Sequence, residues 1–301
     1  MEHTEPKAEM NESSTREARR SGGTTLQSQA CPACGAASQG QTEPQTPTYI
    51  YAIGTIEPRF PTQGLEKEYA QAVGRIDARN LTDRQTRHKV LSQRENRYLA
   101  RQQCWVMKIQ GLDTYILTPR DPADMDLLLE AIRPEPTPGD VDVVIGIQGP
   151  IAPPSVCNGL VIPIVVFDQI YSFDRASLIK SIPRPEKTPA KEFQAGAEEL
   201  LDRIMQLADN AGATDEHRAL NYLAVRYDRT YAAIADAHAR NSSLTAVDVV
   251  PSRLTGVRKI IDVVFSLTNR TTDVTEKQFA RVDVTEEFPF LITKLSPYYD
   301  R

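Results

Sequence analysis

Four cysteines carry the sharpest chemical signal in the sequence. Cys31-Pro-Ala-Cys34 sets two thiols on one tight turn, and Gly35 leaves the backbone free to curl around a cation. Cys157-Asn-Gly159 is a turn signal in which a thiolate can point away from a sheet, and Cys104 opens an apolar run. Structural zinc takes four ligands in a tetrahedron. Cys31, Cys34, Cys104 and Cys157 therefore make a candidate four-cysteine zinc site, closed to water and structural in role. The plain alternative stays open, because free cysteine is often simply buried, which suits Cys104 beside Trp105 and Val106. A redox CxxC follows a strand and opens a helix, and this one lies in a polar stretch.

The remaining candidates are weaker. His3, His88, His217 and His238 form no His-x-x-x-His pair, so no protease-type zinc is expected. Asp215 with His217 offers acid–base chemistry, or else an acidic first turn beside an exposed imidazole. Arg94, Arg97 and Arg101 recur at helical spacing and share one face. They suit a carboxylate or an acidic peptide, or else a solvated face paired with Glu66, Glu68 or Glu95. Gly149 to Pro154 reads as a stiff loop, either a groove wall or a connector. Tyr298-Tyr299 reads as a docking tail or as ordinary packing.

The composition bounds these readings. The 301 residues allow one large or two modest domains. A net charge of −5 argues against general nucleic-acid binding, which needs a basic excess. No apolar run reaches the roughly 20 residues of a membrane span, and the N-terminus lacks the apolar stretch of a signal peptide. The expectation is a cytoplasmic protein with reduced thiols and no structural disulfides.

The elements that must position these residues follow from pattern. Residues 1–47, rich in Glu, Ser, Thr, Gln and Gly, form a tail predicted to be disordered apart from the CxxC. A globular part spans 48–301, with a possible subdivision near 185–190. Tyr49 begins a first strand. Helices are expected at Leu65–Val73 and from Asp83 with Thr82 as N-cap, with Arg94–Gln102 either continuing the second or forming a third. Cys104–Ile109 and Thr114–Leu117 read as a hairpin about Gly111. A short helix opens at Asp121-Pro-Ala-Asp124, with Pro122 in its first turn, and runs through Ile132. Val141–Ile147 and Val161–Phe167 read as buried strands. Leu200, Leu201, Ile204 and Leu207 fall at helical spacing, as do Leu220 to Ile234, giving a long helical hairpin about Asn210-Ala-Gly212. Strands at Leu244–Val250, Lys259–Leu267 and Phe279–Thr285 complete an α+β chain with mixed and antiparallel sheets.

Several phrases carry a family resemblance. They are Tyr51-Ala-Ile-Gly-Thr-Ile-Glu-Pro-Arg-Phe-Pro61, Leu91-Ser-Gln-Arg-Glu-Asn-Arg-Tyr-Leu-Ala-Arg101, Thr118-Pro-Arg-Asp-Pro-Ala123, Ile151-Ala-Pro-Pro-Ser-Val-Cys-Asn-Gly159 and Phe167-Asp-Gln-Ile-Tyr-Ser-Phe-Asp174. Asp209-Asn-Ala-Gly-Ala-Thr-Asp-Glu-His-Arg-Ala-Leu-Asn-Tyr222 and Val284-Thr-Glu-Glu-Phe-Pro-Phe290 join them. Together they resemble the domain of unknown function at the C-terminus of PatG-type cyanobactin maturation proteases, from about Cys31 to Arg301. The subtilisin-like protease of that family is not visible, since none of the histidines is followed by glycine.

The resemblance implies a non-catalytic accessory domain of cyanobactin-type ribosomal peptide biosynthesis. Its implied partners are a precursor peptide or the biosynthetic enzymes, and a homo-oligomer such as a dimer is expected. All four cysteines fall inside family-like stretches, which favours zinc. The competing expectation is a peptide-modifying or hydrolytic enzyme built on Asp215 and His217.

Overall fold

The computed structural model describes residues 47–76, 78–182, 189–207, 209–254 and 256–299. Five strands close into a barrel: β1 (Tyr49–Arg59), β2 (Cys104–Ile109), β3 (Leu112–Pro119), β4 (Asp140–Ile151) and β5 (Pro163–Asp174). Their order around the barrel is β1-β2-β3-β5-β4. All neighbours run antiparallel except β3 and β5, which are parallel. The β2–β3 hairpin forms as expected, because Gln110 and Gly111 both take positive φ, at 52° and 80°.

Alternation along these strands points Ile50, Ala52, Ile56, Trp105, Met107, Tyr115, Leu117, Val144, Val165 and Phe167 into one core. A small barrel of this kind is filled by side chains. Helices α1 (Gln63–Val73), α2 (Asp83–Leu91), α3 (Arg97–Gln102) and α4 (Met125–Ala131) add Leu65, Val90, Leu91, Leu99 and Leu128 to that core. Thr82 caps α2 with a full capping box through Gln85, as its sequence predicts.

A second core lies against the outer faces of β1 and β4, where Tyr51, Ile53, Val141, Val143 and Ile145 point away from the barrel interior. It is filled by α5 (Arg175–Ser181), α6 (Ala190–Met205), α7 (Asp215–Arg226), α8 (Asp228–Ala239) and one face of a four-stranded sheet. That sheet is antiparallel in the order β6 (Ser242–Pro251), β7 (Ile260–Asn269), β8 (Thr275–Asp283) and β9 (Phe290–Pro297). The fold is thus α+β with mixed and antiparallel sheets.

The expected helical hairpin needs correction. The run from Leu220 to Ile234 is two helices, broken at Tyr227, which takes φ −120° and ψ 87°. Its phenol oxygen accepts the Leu295 backbone N–H at 3.0 Å, so the break is tied to β9. The main partner of α6 is α8, which Gly196 lets approach: a Cβ there would sit 3.3 Å from the Ala235 Cα. Sequence reading also missed β9 and α5. The tail 1–46 lies outside the described residues. The described residues form one compact unit, and the suggested division near 185–190 falls mainly on residues 183–188, also outside them.

Strand β1 changes partners along its length. Residues 49–54 pair with β4 and residues 55–59 with β2. Each half therefore has one edge without a strand, and each edge is closed by something else. On the first half, Tyr51 N donates to Gly212 O at 2.9 Å, and Asn221 Nδ2 donates to Tyr51 O at 2.8 Å. On the second half, Ile56 N donates to Asp142 Oδ2 at 2.8 Å, Arg87 donates to Pro58 O, and Pro58 itself has no N–H to satisfy.

Candidate functional site

The cysteines divide into two pairs. Cys104 and Cys157 are joined by a disulfide, with Cα atoms 5.6 Å apart and side chains buried. This corrects the expectation that the chain holds no disulfide. The cause is tertiary: Cys104 opens β2 facing outward beside Val106 and Ile116, and the β4–β5 loop folds back over that face with Ala152 and Cys157. Of the Gly149–Pro154 stretch, Gly149 to Ile151 is the end of β4, with Ile151 paired to Pro163 of β5, and the loop begins at Ala152, whose N–H donates to Ile162 O at 2.9 Å. Cys31 and Cys34 lie outside the described residues. Among the described residues, no cluster of three or more metal-ligating side chains occurs.

The three arginines are brought together. Burial of Asn96, Leu99 and Ala100 on one side of the Arg94–Asn96 turn and α3 turns Arg94, Arg97 and Arg101 outward. Asn96 fixes the junction by donating to Val90 O at 3.0 Å and Gln93 Oε1 at 2.9 Å. The opposite wall is the Pro122–Asp124 turn and the start of α4, anchored by Asp121 Oδ1 accepting the Ala123 N–H at 2.8 Å. Between them lies a cleft of about 530 Å³, lined by the three arginines, Ser92, Pro122, Ala123, Met125 and Asp126. Arg97 pairs with Asp126. Among the described residues, Arg94 and Arg101 have no ion pair, and the expected pairs with Glu66, Glu68 or Glu95 do not form.

Asp215 and His217 do not assemble as an acid–base pair. Asp215 is held by Lys259 at 3.1 Å and Arg218 at 3.5 Å. The His217 backbone N–H donates to the Thr214 cap, and its ring Nδ1 is buried with no hydrogen-bond partner among the described residues. Burial holds the His217 ring below its ordinary pKa. At the C-terminal end, Tyr298 packs edge-on against Phe279 at 5.6 Å, while Tyr299 is exposed.

Two carboxyl groups that sequence reading passed over are strongly perturbed. Asp142 projects from β4 at the end of the barrel interior and accepts from Ile56 N and from Ser172 Oγ at 2.6 Å. Burial pushes it up to about 6, against those two bonds and the charges of Arg84 and Arg133. Glu287 sits at the β8–β9 turn against Asp168 of β5, with Arg120 bridging both at 3.2 and 2.7 Å. Burial and then a hydrogen bond with Asp168 push Glu287 up to about 7. Beside it, the buried Arg218 donates to the backbone carbonyls of Val284, Glu286 and Glu287. An aspartate in a strand or a glutamate in a turn gives no sequence signal distinct from a solvated one, so burial of these groups was not legible.

Comparisons with known proteins bear on the whole. The family described as PatG C-terminal matches residues 187–298. A solved structure described as the PatG domain of unknown function has the same fold, with a TM-score of 0.67 and 18% identity, covering 83% of this chain and 98% of that one. A search of curated proteins gives no match. The phrases quoted before residue 187 lie outside the family match, and there the likeness rests on fold. Residues 187–298 of this chain are thus similar to the PatG C-terminal family, within a fold shared with the PatG domain of unknown function.

Proposed function

We propose that this protein is a non-catalytic accessory domain of cyanobactin-type peptide biosynthesis, one that binds a precursor peptide or the enzymes that process it. The observation that carries the reading is the arginine cleft, in which two of three guanidinium groups have no ion pair among the described residues. In a protein with net charge −5, a local excess of cations marks a surface kept for an anionic partner. The rival acid–base reading gains nothing from Asp215, whose carboxylate is already committed to two cations. Titration of the full chain with precursor peptide, followed calorimetrically and by peptide mass, tests the proposal. A complex with unchanged peptide mass is expected, and a chemically altered peptide would overturn it. A homo-oligomer in the cytoplasm is part of the same proposal, and light scattering measures the oligomeric state.

Structural zinc belongs to this reading as well. A thiol reductant, itself oxidised to a disulfide, opens the Cys104–Cys157 bond to two thiols. Those two, with Cys31 and Cys34, supply the four sulfur ligands a structural zinc site takes. The metal would then supply a cross-link that the hydrophobic core does not. Protein purified with reductant and without chelator is expected to hold about one zinc per chain. Zinc far below that level removes the site.

A further inference from the structure

We infer that the cleft between α3 and the start of α4 binds an extended peptide segment bearing carboxylates at alternate positions. This deepens the peptide-binding reading and rests on it for the class of partner. Arg97 and Arg101 are one helical turn apart, an axial separation of about 6 Å. Alternate side chains on one face of an extended chain are about 6.8 Å apart. Two acidic side chains at positions i and i+2 therefore match two guanidinium groups on this helix. Arg94, one turn earlier, extends the same row to a third carboxylate.

The far wall decides between a peptide and a compact anion. Pro122, Ala123 and Met125 present apolar surface, and the cleft volume of about 530 Å³ exceeds what one phosphate group needs. A peptide offers both carboxylates and a carbon skeleton to cover such a wall. Asp126 already occupies Arg97 and is exposed, so it acts as an internal competitor that an incoming carboxylate displaces. Guanidinium forks suit this exchange, since each can take a carboxylate by two parallel hydrogen bonds.

The test uses the full chain and a terminally blocked Glu-Ala-Glu-Ala-Glu peptide, with Gln-Ala-Gln-Ala-Gln and inorganic phosphate as controls. The glutamate peptide is expected to bind, weakening with added salt, while the glutamine peptide does not. Arg94→Gln with Arg101→Gln should weaken binding by about tenfold or more and leave the melting temperature unchanged, both side chains being exposed. Asp126→Asn should tighten it, a response that a merely structural ion pair would not give. Equal binding of the two peptides, an unaffected double variant, or phosphate binding that the glutamate peptide cannot displace would each overturn the inference. Precursor peptide that still binds the double variant with unchanged affinity removes the cleft but keeps the proposed function. Glutamate-peptide binding without precursor binding keeps the cleft and removes that function.

Discussion

Asp142 shows how one side chain can stand in for a missing strand. Where β4 ends its pairing with β1, the carboxylate takes the Ile56 N–H that the next ladder bond would have used. The cost is a buried charge, visible in its raised pKa. A folded-state pKa raised above the unfolded value makes the protonated form the favoured one in the native state. The resulting stability is present below about pH 4 and is lost as pH rises through about 6. Glu287 adds the same sign of dependence up to about 7. The contribution of these two carboxyl groups to the melting temperature is therefore expected to fall between pH 4 and 7, opposed by His88 and His217, whose rings burial holds below their ordinary pKa. Asp142→Asn should flatten the lower part of that fall, because an amide can accept from Ile56 N and donate to Ser172 Oγ. Asp142→Ala should instead cost about 1–3 kcal/mol, through an unpaired buried N–H. An asparagine variant that kept the full pH slope would refute this account.

At the level of elements, the α6–α7 loop does the work of a strand. Gly212 lies against the Tyr51 carbonyl and the Ala52 Cα with a φ of +74°, and its own carbonyl takes the Tyr51 N–H. A Cβ at that position collides with backbone that has nowhere to go, and an L-residue resists that φ. Gly212→Ala is expected to lose about 3 kcal/mol or more. The loss should appear as a lower denaturant midpoint in chemical unfolding. Gly196 makes a milder version of the same contact, where α6 meets α8. The sequence marked Asn210-Ala-Gly212 as a turn, and it is one. That the turn also closes an edge of the barrel depends on β1, some 160 residues earlier, and no local pattern records it.

For the molecule as a whole, β1 is the common wall. Ile50, Ala52 and Ile56 of β1 fill the barrel and Tyr51 and Ile53 reach the second core, so neither core is complete without it. The two parts are also tied at the β8–β9 turn, through Arg218 and through Arg120 with Glu287. A single cooperative unfolding transition is expected, with fluorescence of the barrel's Trp105 and far-ultraviolet circular dichroism changing together. Separate transitions would show that the cores fold independently. No helix among the described residues is long and apolar enough to cross a membrane.

The amino-acid sequence determined most elements of this protein by itself, because periodicity, caps and turn residues act within a few positions of one another. Thr82, Gly111 and the β-branched runs at 141–147 and 161–167 are such local signals. It also put Arg97 and Arg101 on one face, since helical spacing alone decides that, while Arg94 joins them from the turn before α3. What faces them is a matter of tertiary structure, and so is the ion pair that Arg97 alone of the three makes among the described residues. The same holds for the Cys104–Cys157 bond, the closure of the barrel and the burial of Asp142. Each depends on segments distant in the chain meeting in space, where burial and desolvation set the energy, and a linear pattern carries no record of those meetings.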